Sequence, residues 1–132
     1  MREEREEDLP RTVLVADDEA SMRDLLGACL KLAGVRVHTA RDGRDALAVA
    51  RALRPEAVLL DLMMPYLDGL EVCRLLRADP NTRSTTVVLC SASDERDVDW
   101  RGAGADAYLA KPFSLPRVPE AIRLAHRAAR AP

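Results

Sequence analysis

Short apolar runs of strand length recur along this chain, and each is followed by a segment whose apolar residues repeat at helical spacing. The first run, TVLVA at Thr12–Ala16, is continuous and rich in β-branched residues, the pattern of a strand covered on both faces. After it, Met22, Leu25, Leu26, Cys29, Leu30 and Ala33 fall on one helical face, with Ser21 or a neighbouring Asp at the N-cap and Gly34 as the stop. A second run, VRVHT at 35–39, alternates more and suits a place nearer the sheet edge. A helix over Gly43–Leu53 follows, with Ala46, Leu47, Ala50 and Leu53 on one face and Pro55 as its terminator. Ala57–Asp61, Thr86–Ser91 and Ala107–Ala110 read as the remaining strands. Between and after them the spacing predicts a helix over 67–78, a weaker one over 94–103, and a last one with Val118, Ile122, Ala125 and Ala129 on one side. Parallel strands need crossover connections, and those crossovers are right-handed. Five strands alternating with five helices therefore predict an α/β, doubly wound parallel sheet.

Sheets of this kind bind ligands beyond the carboxyl ends of their strands, so what each strand delivers there matters. The first strand ends in Asp17-Asp18, the third in Asp61, the fourth in Ser91, and the fifth in Lys111 followed by Pro112. Carboxylates brought together repel one another unless a cation neutralises them. An all-oxygen donor set suits magnesium or a similar hard ion, which favours phosphate oxygens as partners. Lys111 is one of only two lysines beside 18 arginines, and it offers the mobile point charge that binds phosphate. Ser91 offers a hydroxyl to a phosphoryl oxygen. An ordinary aspartate is ionised at neutral pH and can attack phosphorus, so Asp61 is the candidate acceptor. Phosphoryl transfer demands chiefly positioning and charge neutralisation, which these groups supply together.

At these residues the chain resembles the receiver domain of bacterial two-component response regulators. The matching pieces are the acidic pair Asp17-Asp18, the run D-x-x-M-P-x-x-D-G from Asp61 through Met64, Pro65, Asp68 and Gly69, the hydroxyl of Ser91, and GADAYLAKPF from Gly104 to Phe113. The resemblance implies a flavodoxin-like sheet of strand order 2-1-3-4-5, with residues 11–130 as the receiver domain after a charged leader over 1–10. It implies that Asp61 is the phosphoacceptor and that Asp18 and Asp61 ligate Mg2+ directly, with Mn2+ as a substitute. Asp17 would act largely through water, and the Met63 backbone carbonyl would complete the protein's ligands. Lys111 would pair with the phosphoryl group across a cis bond to Pro112. Ser91 and Tyr108 would be the switch pair, remodelling the face of the fourth helix, fifth strand and fifth helix. The expected phosphodonor is a sensor histidine kinase or a histidine phosphotransfer protein. Ser91 stands where Thr is more usual. The stretch from Ser91 to Lys111 is slightly short for the family, so a truncated or irregular fourth helix is expected. Met63 and Ser93 occupy positions that influence aspartyl-phosphate lifetime in the family.

Each feature also has a plainer explanation. Asp17-Asp18 could cap a helix, Asp68-Gly69 reads as a turn and cap, Tyr108 as packing, and Trp100 as either half-buried packing or a partner anchor. A phosphohydrolase working through an aspartyl phosphate, as in the haloacid dehalogenase group, needs a second Asp two residues after the nucleophile, where this chain has Met63. An interaction module that no longer uses phosphate would be expected to lack a site group. No nucleotide-binding glycine loop is present. The net charge of −2 lacks the excess of a nucleic-acid binder, and neither a spanning apolar stretch nor a signal-peptide core is found. The expectations are thus a cytoplasmic protein without direct nucleic-acid or membrane contact, either a monomer or a phosphorylation-dependent homodimer. Cys29, Cys73 and Cys90 read as buried free thiols, and His38 and His126 as isolated from any metal set. The sequence stops at Pro132, just after the fifth helix, which suits a stand-alone regulator, a relay intermediate or a piece of a longer protein with an output domain.

Overall fold

Parallel pairing joins five strands, β1 (Thr12–Ala16), β2 (Arg36–Ala40), β3 (Ala57–Asp61), β4 (Thr86–Ser91) and β5 (Ala107–Ala110), in the order β2-β1-β3-β4-β5. This is the flavodoxin-like arrangement, in a computed structural model that describes residues 9–131. Every residue of β3 and β4 is buried, as their continuous apolar runs require of central strands. Alternate residues feed two cores. Leu14, Val58, Leu60 and Leu89 face α2 (Gly43–Leu53) and α3 (Gly69–Ala78), whereas Val13, Val15, Leu59 and Val88 face α1 (Ala20–Leu32) and α4 (Arg117–Ala129).

Helix ends follow local chemistry. Asp42 caps α2 by accepting from the Asp45 N–H, and Asp68 with Glu71 forms a capping box at the start of α3. The expected turn and cap at Asp68-Gly69 is therefore present. At α1 the expectation of Ser21 or an Asp as N-cap fails: Glu19 holds that place without a side-chain cap. Pro116 stands at the N-cap of α4 and Pro119 in its first turn, where a missing N–H costs nothing.

The weaker helix expected over 94–103 forms no α-helix, in line with the truncated or irregular fourth helix expected from the short stretch between Ser91 and Lys111. Its place is taken by a 3-10 turn at Glu95–Asp97 followed by further turns, leaving four α-helices among the described residues. Aspartate side chains compete with the helical ladder here, Asp94 accepting from the Arg96 N–H and Asp99 from the Gly102 N–H. Trp100 folds inward to 8% exposure, so packing is its role in this structure.

Residues 1–8 of the expected leader lie outside the described residues. Its last two do bury surface, Pro10 being buried and Leu9 packing on the α1/α4 core. Cys73 and Cys90 are buried free thiols, whereas Cys29 is only half-buried. His126 is buried with Nδ1 2.8 Å from the Thr86 hydroxyl, a core contact rather than a metal set. No helix among the described residues is long and apolar enough to cross a membrane.

Candidate functional site

Sheet register alone brings the candidate residues to one edge. Ala16 pairs with Leu60, so the next residues, Asp17 and Asp61, emerge side by side; Ser91 pairs with Ala110, so Lys111 follows beside it. The ladder continues past the strands, with the Lys111 N–H donating to the Ser91 carbonyl at 2.7 Å and the Leu62 N–H to the Cys90 carbonyl at 2.9 Å. Gly69 lets α3 begin against this edge, because a Cβ there would lie 2.7 Å from the Asp61 carbonyl oxygen and 2.9 Å from Leu89.

Carboxylate oxygens of Asp17, Asp18 and Asp61 lie within 4.8 Å of one another. The Lys111 Nζ is 3.5 Å from both Asp17 and Asp61. Burial, then the charge of Asp17, hold the Asp61 carboxyl above the usual aspartate range; Lys111 and the neighbouring Met63 backbone N–H work against this. Burial would lower the pKa of Lys111, yet the negative charges around it, Asp61 and Asp17 among them, hold it above the ordinary lysine value. One ammonium does not balance three carboxylates. The site is therefore short of positive charge, its donors are all oxygen, and Asp18 is exposed to an arriving ion, so a hard divalent cation fits. Asp17 spends one oxygen on the Glu19 N–H at 2.9 Å, yet it does not cap α1, so capping does not account for the pair.

Ser91 and Tyr108 meet through a residue between them. The Ser93 N–H donates to Ser91 Oγ at 3.1 Å, and the Tyr108 hydroxyl donates to the Ser93 carbonyl at 2.7 Å. The half-buried Tyr108 ring lies 6.3 Å from that of Trp100, over which Arg101 stacks at 4.4 Å. The Lys111–Pro112 bond is cis. An apolar cleft of about 460 Å³ opens beside Lys111, lined by Met22, Leu25, Phe113 and Leu115. Arg23, which no motif singled out, donates to the Asp17 carbonyl at 2.7 Å. The side chain of Met63 is exposed, and its backbone N–H lowers the Asp61 pKa.

A family description, the response regulator receiver domain, matches residues 13–123. The chain belongs to this family. Response regulator MprA of Mycolicibacterium vanbaalenii is 45% identical over 107 residues, covering 81% of this chain and 46% of that protein. MprA of Mycobacterium ulcerans is 44% identical over 103 residues, covering 78% of this chain and 44% of its own length. The receiver described here thus spans about half the length of these curated relatives. Among solved structures, the chemotaxis response regulator CheY4 of Vibrio cholerae superposes with a TM-score of 0.83 at 28% identity, covering 88% of this receiver and 98% of that chain. The receiver domain of the Francisella response regulator 1452 gives 0.81 at 30% identity, covering 92% and 99%.

Proposed function

We propose that this receiver is a phosphorylation-dependent signalling switch whose acceptor is Asp61. The observation that carries the reading is the meeting, at one sheet edge, of three carboxylates with Lys111 at 3.5 Å from Asp61. In the reaction, an Asp61 oxygen forms a bond to phosphorus while the P–N bond of a phosphohistidine breaks. The leaving imidazole keeps the electron pair and takes a proton from solvent. Asp17, Asp18, Asp61 and the Met63 carbonyl would hold Mg2+, with Asp17 acting largely through water and Mn2+ as a substitute. Bound there, the ion supplies charge neutralisation for the phosphoryl oxygens. Lys111 pairs with the phosphoryl group on its other side, as its ammonium state favours. The apolar cleft beside Lys111 leaves room for a sensor histidine kinase or phosphotransfer protein to present its histidine.

The switch then runs through Ser91. Its hydroxyl turns toward the phosphoryl group, and Tyr108 moves inward, altering the face formed by β5, α4 and segment 92–106. That face would act on an output domain or separate partner in the cytoplasm, with the receiver a monomer or a phosphorylation-dependent homodimer. Acetyl phosphate with Mg2+ should add one phosphoryl mass to the intact protein, and Asp61→Asn should abolish it. A mass shift that survives this substitution refutes the assignment. Equal partner affinity with and without beryllofluoride would instead mark an interaction module that no longer uses phosphate.

A further inference from the structure

Just beyond Asp61 the chain makes a turn that needs outside help to hold. The Leu67 N–H donates to the Pro65 carbonyl at 2.9 Å, and Tyr66 between them has φ 71°. This is a γ-turn with its central residue in the left-handed region, the rare and strained form, and a bulky aromatic there is an outlier. Burial does not compensate, because Tyr66 is 66% exposed.

Two contacts from the first turn of α2 meet this turn. The Arg44 guanidinium lies 4.3 Å from the centroid of the Tyr66 ring. Gly43 packs so closely on Leu67 that a Cβ there would come within 2.6 Å of the Leu67 Cβ. The anchor is itself fixed, since Asp42 accepts from the Asp45 N–H at 2.8 Å. At the other end of the loop, the Gly69 N–H closes onto the Leu62 carbonyl at 2.8 Å. Between these ends sits Met63, whose backbone N–H helps hold down the Asp61 carboxyl pKa. Backbone strain persists only where surroundings over-determine it, and it gathers at functional sites.

We propose that the start of α2, through the Arg44–Tyr66 stack on a strained turn, positions loop 62–68 and so sets how tightly the acidic pocket holds a divalent cation. The inference rests on the cation-dependent reading above and adds Arg44 and Tyr66 as positioning residues. Charge predicts the opposite sign: removing a cation near an acidic pocket should, if anything, tighten cation binding. A loss of affinity in Arg44→Ala is therefore diagnostic of positioning.

The test uses the full chain, with Mg2+ affinity from titration calorimetry and amide hydrogen exchange of Leu67 and Met63 in metal-free protein. Arg44→Ala is expected to weaken Mg2+ binding about two- to fivefold, the size of an exposed cation–π contact, and to speed exchange of the Leu67 amide, while the thermal midpoint falls by no more than a few degrees (~2–4 °C). Tyr66→Phe, which keeps the ring, should behave as the parent. In a Tyr66→Gly background, where positive φ carries no strain, Arg44→Ala should add nothing. Parent-like Mg2+ affinity with unchanged Leu67 exchange in Arg44→Ala overturns the proposal, as does an equal effect in the Tyr66→Gly background. Failure of the parent to bind Mg2+ would refute the cation-dependent reading itself and with it the affinity claim. The exchange data would still show whether α2 holds the turn.

Discussion

Replacing Asp61 by Asn should stabilise the metal-free protein, because the carboxylate sits where a charge is disfavoured. Unit charges whose oxygens lie within 4.8 Å repel by about 3–4 kcal/mol at an effective dielectric of ~20, and Lys111 at 3.5 Å returns about 4–5 kcal/mol. The charges of buried Asp17 and of Lys111 nearly cancel at Asp61, the exposed Asp18 being screened by solvent, so burial decides the sign, in accord with a carboxyl held above its usual range chiefly by burial and then by Asp17. A group whose folded pKa exceeds its unfolded one stabilises fully below the unfolded value, and that contribution is lost as pH rises through the folded value. Near neutral pH the parent therefore carries the whole penalty, about 1.4 kcal/mol for each pH unit of elevation. Asparagine keeps the shape without the charge, and Lys111 retains Asp17 as a partner at 3.5 Å. We expect Asp61→Asn to be more stable near neutral pH, each kcal/mol of gain appearing as about 3–5 °C in Tm for a domain of this size, with the gain shrinking as pH falls toward the ordinary aspartate pKa of ~4. Unfolding by urea and by heat in chelator across that pH range checks it. An Asn variant no more stable than the parent near neutral pH, or a gain indifferent to pH, would refute the reasoning.

Lys111→Met should raise the Asp61 pKa further by removing its nearest positive charge, at 3.5 Å, visible as an upward move of the Asp61 carboxyl titration by NMR. The same variant should fail to switch even when acetyl phosphate modifies it. Gly69→Ala should cost about 1–3 kcal/mol by overpacking, since the new Cβ would meet the Asp61 carbonyl oxygen at 2.7 Å; a urea midpoint equal to the parent's would contradict this. Saturation with beryllofluoride and Mg2+ should change the emission of Trp100, the only tryptophan, through its Tyr108 neighbour at 6.3 Å. Ser91→Ala should abolish that change. Tyr108→Phe removes a bond to the Ser93 carbonyl worth about 0.5–1.5 kcal/mol net, so denaturant unfolding should show a loss of that size or less.

What was legible in the sequence and what was not divide along one physical line. Strand runs, the Gly43–Leu53 helix and the residues at four strand ends were readable because side-chain chemistry specifies them: apolar periodicity sets the elements, and in a parallel sheet the strand ends share one edge. The segment over 94–103 was legible as an irregular one from its length but not from its apolar spacing, which competes with Asp94 and Asp99, whose carboxylates capture nearby N–H groups and turn the chain instead. Spacing records the first tendency and not which one wins. Other contributors act through main-chain groups. Arg23 reaches a carbonyl of Asp17, Ser93 joins Ser91 to Tyr108 with its own N–H and C=O, and the Tyr66 turn is closed by the Leu67 N–H on Pro65. Every residue but proline carries the same backbone donor and acceptor, so no residue type marks such a position and only the folded path of the chain reveals it. The division also has a functional sense. In the proposed switch, side chains would supply the charges that accept and pair with a phosphoryl group, while the backbone would fix how far those charges can move. A change in switching without a change in chemistry should therefore be sought at Ser93 and Tyr66 rather than at Asp61 or Lys111.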